Sequence, residues 1–418
     1  MGKKYKVKKD YGSGYRSSYY GFRKDFPDGS RRGRFRKSAS RVERSKKIGK
    51  IVLLALGFAA VVAIAFFATD FALQLSNKPV VTDSPSQTDS GAQQAGAQEP
   101  SQTAPQEQAA VAVWLPEATF RRDDALESFL ANVKQLGATT LILEGKNVDG
   151  EVLFPSSVEQ ISATGAAEGA YTGFSQAVEK IHTSGLKVMI QLQCFRDPLA
   201  ARRLGEGSAV YYERPGTLWL DNSLDQGGKP WANPYSETVQ SYLTGLIHEL
   251  ASMGVDGILL DSVQFPSGYA LNRTYYTGES ESGVSRNEIL KDFIAKAKKA
   301  AGDTTLLLMQ TGAGALGGDD EQYHGSLFNS EADGYAPDLR LSGLERGTMA
   351  GEEAFDPADP AAFLAAAGRQ LKAAAGSAVL MPVLEEGSAF SAQVNALKAA
   401  GIESYVVYSE SGSYSAVK

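Results

Sequence analysis

Asp261 ends an otherwise apolar run, GILLDSVQFP (257–266). A carboxylate in that setting must be exposed, paired or used, because burying it alone is costly. The same arrangement recurs along the chain. Glu144 and Lys146 close one apolar run and, two apart on an extended strand, are expected on one face. Gln191 and Gln193 share a face of the next run, which continues into Phe195-Arg196-Asp197-Pro198. Later runs end at Gln310, at Tyr335 and Asp338, at Glu385-Glu386, and at Tyr408 and Glu410. Carboxylates, amides and aromatics brought together in this way suit a sugar. Acids and amides bond hydroxyls, and aromatic rings cover pyranose faces. The three histidines, His182, His248 and His324, have no ligand spacing, so neither a metal nor a cofactor is expected. No Gly-x-Ser-x-Gly elbow is present.

These residues need a scaffold that collects strand ends. Apolar runs occur at 111–116, 139–145, 186–193, 257–263, 304–310, 333–337, 378–385 and 404–410. Helical patterns lie between most of them, at 123–136, 171–184, 235–253, 286–301, 358–375 and 388–400. Continuous apolar strands alternating with helices predict a parallel sheet covered by helices. Eight such strands predict an α/β fold of the (β/α)8 TIM-barrel type, whose chemistry sits at the C-terminal ends of the strands. A doubly wound open sheet is the competing architecture, and the missing dinucleotide fingerprint after the first strand counts against it. GAGALGG (312–318) lacks the lysine of a phosphate loop and reads as a flexible loop.

The rest of the chain addresses location. Residues 1–50 carry 18 Lys/Arg against 4 Asp/Glu, a balance of +14, leaving −20 for the remainder of a chain of net charge −6. The uncharged stretch IVLLALGFAAVVAIAFFA (51–68) nearly spans a bilayer core at helical rise. Residues 1–47 are therefore expected to form a disordered basic cytoplasmic tail and 48–69 a transmembrane signal-anchor helix. Residues 70–109 are expected to form a Ser/Gln/Ala/Pro-rich linker and 110–418 the barrel, which the positive-inside rule would place outside the cell. The 34 residues of 76–109 reach about 30–35 Å as a coil. Basic residues interleaved with aromatics in the tail suit anionic lipid, with nucleic acid the less favoured partner. The one cysteine, Cys194, reads as a small buried hydrophobe.

Four stretches resemble a known family: LILEGKNVDGEVLF (141–154), HTSGLKVMIQLQCFRDPLAA (182–201), residues 218–266, which include WANP (231–234) and DSVQFP (261–266), and GIESYVVYS (401–409). They resemble a family of bacterial glycoside hydrolases, exported (β/α)8 barrels distantly similar to the α-amylase type. The resemblance covers about 110–410. It implies that Asp261 takes the place of the catalytic nucleophile. It also implies substrate contacts from Lys146, Asp149, Arg196 and Asp197, and it places Asp338 and Glu386 near where later strands supply acids. Trp231 carries the Trp-x-Asn-Pro motif. Gln264 stands where the family usually has Arg, and Gln310 stands near a usual acid. The fifth strand offers no carboxylate before Asp319, so the second carboxyl could be Asp338, Glu386 or Glu144. The substrate-binding set expected is Glu144, Lys146, Asp149, Gln193, Arg196, Asp197, Trp231, Gln264 and Tyr335. The function expected is a membrane-anchored extracellular hydrolase of an envelope or extracellular polysaccharide. The alternative is an inactive barrel that tethers cell-wall glycan.

Overall fold

The structure is a computed structural model describing residues 109–312 and 322–417. The basic tail, the apolar segment 48–69 and nearly all of the linker lie outside the described residues, as does Asp319. Among the described residues no helix is long and apolar enough to cross a membrane.

The fold is α/β, built on a curled, wholly parallel sheet. Its strands are β1 (Val111–Leu115), β2 (Thr140–Lys146), β3 (Lys187–Gln193), β4 (Gly257–Asp261), β5 (Leu306–Thr311), β6 (Gly334–Pro337), β7 (Val379–Leu380), β8 (Val383–Glu385) and β9 (Tyr405–Tyr408). Their order is β7-β6-β5-β4-β3-β2-β1-β9-β8. Parallel neighbours require long crossovers, and amphipathic helices supply most of them. These are α1 (Asp123–Gln135), α2 (Phe174–Thr183), α3 (Glu237–Ser252), α4 (Arg286–Ala301), α5 (Ala361–Ala375) and α6 (Phe390–Ala399). All six overlap the helices the sequence predicts. Ser236 caps α3, and Ser285 with Glu288 forms a capping box at the start of α4. β7 and β8 are consecutive pieces of one extended stretch, interrupted at Met381-Pro382. β7 pairs with β6, β8 pairs with β9, and Val383 also bridges to Asp338. Proline has no N–H to give a ladder, which accounts for the break.

The strands bury both faces, and each face has its own cluster. Leu141, Leu143, Val188, Ile190, Ile258, Leu260, Leu307 and Met309 pack with the helices in the larger core. Ala112, Ile142, Met189, Leu259, Leu308, Ala336, Met381, Val383 and Val406 form a separate cluster on the concave face. Two residues further along each strand, alternation brings Trp114, Glu144, Gln191, Asp261, Gln310, Asp338, Glu385 and Tyr408 to that same face. The concave mouth is thus a ring of polar and aromatic side chains lying on an apolar plug.

One local irregularity alters the pairing expected for Glu144 and Lys146. The β2–β3 register pairs Glu144 with Gln191 but Lys146 with Leu192, a bulge at Gly145. The extra residue turns Lys146 to the face opposite Glu144, so the expectation that the two share a face is incorrect. Gly145 is suited to the place, because a Cβ there would lie 2.4 Å from Ile190 Cγ2. Cys194 is buried, and burial pushes its thiol well above the ordinary range. We expect it to stay unmodified by a maleimide reagent in the native protein and to react fully once the chain is unfolded in urea. Mass spectrometry reads both states.

Candidate active site

Asp261 is the hub of the mouth. Its Oδ2 accepts hydrogen bonds from Gln191 Nε2 at 3.0 Å and Gln193 Nε2 at 2.7 Å. Its Oδ1 accepts from Ser262 Oγ at 3.2 Å, and the same hydroxyl reaches Gln193 Oε1 at 2.8 Å. Gln191 extends the network, donating to Gln310 Oε1 at 3.3 Å and accepting from Trp114 Nε1 at 3.3 Å. Ser262 has φ 55°, a left-handed conformation that a non-glycine residue adopts at a cost. That kink turns the chain away immediately after the carboxylate. Burial raises the Asp261 carboxyl above its ordinary range, while the Gln193 and Ser262 hydrogen bonds and the nearby Arg196 charge favour its anion.

Glu144, on the neighbouring side of β3, has the opposite environment. It is buried, and its Oε1 has no hydrogen-bond partner. Burial, then the negative charges of Asp261, Asp149 and Glu151, push its carboxyl up to about 8, with Lys146 pulling weakly the other way. At neutral pH Glu144 therefore holds its proton. Both carboxyls are raised by burial, and of the two only Asp261 has hydrogen-bond donors, which favour its anion. Separated by one intervening strand, their backbones stand about 10 Å apart at ordinary strand spacing, and both side chains project into the mouth.

Asp338 also reaches the mouth, but it is committed elsewhere. Arg340 Nε donates to its Oδ1 at 2.9 Å and Nη2 to its Oδ2 at 2.6 Å. The guanidinium lies 4.5 Å from the Tyr408 ring centroid, and Trp114 meets that ring edge-on at 5.7 Å. Glu386 follows the strand end and takes a hydrogen bond from Ser415, away from Asp261's network. Its neighbour Glu385 is the one on the concave face, with Oε2 accepting from Ser342 N at 2.9 Å.

The expected substrate-binding residues divide into two groups. Glu144, Gln193 and Arg196 stand at the mouth. Lys146 and Asp197 form a fully buried ion pair of 2.8 Å, with Lys146 Nζ also donating to Gln193 O at 2.7 Å. Asp197 caps the helix 198–203 through Ala200 N at 2.8 Å. Asp149 pairs with Lys229, bridging two loops. Trp231 is buried and donates to Asp221 Oδ2 at 3.3 Å. Gln264 is buried and accepts from Tyr323 Oη at 3.2 Å. Tyr335 lies in the helix-side core, its hydroxyl on Leu327 O at 2.8 Å. Lys146, Asp197, Trp231, Gln264 and Tyr335 thus hold loops and core in place. Sequence reasoning missed Trp114 and Arg340. The signals for them were the even register of Trp114 within VAVWL and the two-residue spacing of Asp338 and Arg340. Among the described residues no group of His, Cys, Asp and Glu has the arrangement to hold a metal ion.

The chain is similar to several solved structures. A hypothetical protein from Ruminiclostridium thermocellum is 22% identical, with 47% of this chain and 96% of that one covered and a TM-score of 0.41. The catalytic domain of a β-amylase from Paenibacillus polymyxa is 9% identical, with 73% and 94% covered and a TM-score of 0.46. A trehalose-6-phosphate hydrolase from Bacillus licheniformis is 13% identical, with 72% and 64% covered and a TM-score of 0.41. The chain thus spans slightly under two thirds of that enzyme. No curated protein matches the chain. Residues 112–308, which carry Glu144, Gln191, Gln193, Arg196 and Asp261, match the family described as "Putative glycosyl hydrolase domain", and this region is glycoside hydrolase-like.

Proposed function

We propose that the protein hydrolyses glycosidic bonds of an envelope or extracellular polysaccharide, with Glu144 as the general acid and Asp261 as its anionic partner. The observation that carries this reading is the contrast between the two carboxyls in one mouth. One is buried without a donor, which favours its neutral form, and the other is held by two amides and a hydroxyl. Two-carboxylate hydrolysis needs that asymmetry, since one group must give a proton while the other acts as an anion. Trp114 and Tyr408 supply aromatic surface, and Gln310 supplies an amide for a sugar hydroxyl. The scaffold is read as a (β/α)8 barrel. Counting 379–385 as one interrupted strand makes eight, and its pairing with both β6 and β9 supports closure. Segment 48–69 would anchor this barrel outside the membrane, with the basic tail in the cytoplasm against anionic lipid.

The test is to incubate the full-length chain and its Asp261→Asn variant with a panel of envelope polysaccharides and to read new reducing ends. Cleavage by the wild type that disappears in the variant is the expected result. A second reading, a barrel that binds cell-wall glycan without cutting it, is favoured by the amide of Gln310 at the end of β5 and by the engagement of Asp338 with Arg340. Retention on the polysaccharide without cleavage, equal in both proteins, would select it.

A further inference from the structure

Among the described residues, three cations near the mouth or its loops are held by close carboxylate partners. Lys146 holds Asp197, Lys229 holds Asp149, and Arg340 holds Asp338. Arg196 is held less closely. Its closest carboxylate oxygen, Asp221 Oδ2, is 4.0 Å away, and its Nε is buried with no hydrogen-bond partner. Asp221 is already engaged, with Oδ1 accepting from Lys229 N at 2.7 Å and Oδ2 from Trp231 Nε1 at 3.3 Å. The guanidinium lies 5.9 Å from the Trp231 ring centroid, and its side chain is 29% exposed. The backbone places it beside Asp261. Cys194 N donates to Asp261 O at 2.9 Å and Phe195 N to Ser262 O at 3.1 Å, so Arg196 follows the last rung next to the carboxylate. The chain thus holds a planar cation at the edge of the mouth, backed by an indole, with donors left over. Such a fork fits a two-oxygen anion.

We propose that the natural substrate is an acidic glycan bearing an oxyanion on its sugar, a carboxylate or a phosphate, and that Arg196 selects it. The proposal rests on the mouth being a glycan site, and it names the class of glycan. Arg196 would receive the oxyanion through the terminal nitrogens of its partly exposed guanidinium. Asp221 and Trp231 would hold the guanidinium in plane, so a neutral polymer would leave those donors unpaired.

The experiment measures retention of the full-length chain by three immobilised polymers: a polyuronate, a phosphate-bearing wall polymer and a neutral glucan. Reducing ends are assayed separately. The wild type is expected to be retained by at least one acidic polymer about tenfold more strongly than by the glucan, and added salt should weaken that retention. Arg196→Gln should bring the ratio close to one with an unchanged melting temperature, and Arg196→Lys should keep only part of it. The two acidic polymers distinguish carboxylate from phosphate. Equal retention of acidic and neutral polymers by the wild type overturns the proposal, as does an unchanged preference in either variant. Preference without cleavage supports this proposal while removing hydrolysis. Cleavage without preference does the reverse.

Discussion

Glu144→Gln is expected to lower the hydrolytic rate by about 10²–10⁴-fold while leaving glycan retention nearly unchanged. The amide keeps the shape and the burial of the side chain but has no proton to give to a leaving oxygen. In the wild type the rate should fall as pH rises through about 8, where Glu144 loses its proton. That limb should vanish in the variant. Stability follows the same group. Its folded carboxyl is raised to about 8 from an ordinary 4.5, so its contribution is fully present below the ordinary value and is lost as pH rises through about 8. Urea midpoints across pH 4 to 9 should decline in the wild type and flatten in Glu144→Gln. A variant that keeps full activity, or a wild-type rate flat through pH 8, would remove Glu144 from the chemistry and leave it as a buried neutral group.

Lys146→Met is expected to destabilise the fold by about 3–5 kcal/mol, because it strands the Asp197 carboxylate where neither group of the pair is accessible to water. The corresponding fall in melting temperature is on the order of 10 °C for a domain of this size. Lys146 also donates to the backbone carbonyl of Gln193, whose side chain holds Asp261, so the loss reaches the mouth. Adding Asp197→Asn to Lys146→Met should recover a large part of the stability, since the stranded charge is then gone. A direct substrate contact predicts a different result, with weaker binding, unchanged melting and no recovery in the double variant. Thermal unfolding of the two variants separates these outcomes.

The two variants also mark where local sequence was informative and where it was not. The alternation of apolar runs with amphipathic helices was legible because each run carries its own hydrophobic pattern. All six expected helices lie within a few residues of those observed. Asp261 was legible for the same reason, since one carboxylate ending an apolar strand is a local anomaly. Lys146 was misread because two-residue spacing implies a shared face only while the ladder is regular. The bulge at Gly145 depends on how Ile190 and Leu192 pack across the strand pair. Asp338 and Glu386 looked equivalent as acids near strand ends. Arg340 takes up both oxygens of the first, and the second lies on Ser415.

The sequence by itself determined the order of strands and helices, the anionic character of the region after residue 50, and the carboxylate that ends β4. All three are properties of consecutive residues. The tertiary structure decided which acids share a mouth, which of them has hydrogen-bond donors and that Arg196 has no close carboxylate partner. Those depend on residues far apart in the chain meeting at one end of a curled sheet, where burial and neighbouring charge, rather than residue type, set what a carboxyl or a guanidinium can do.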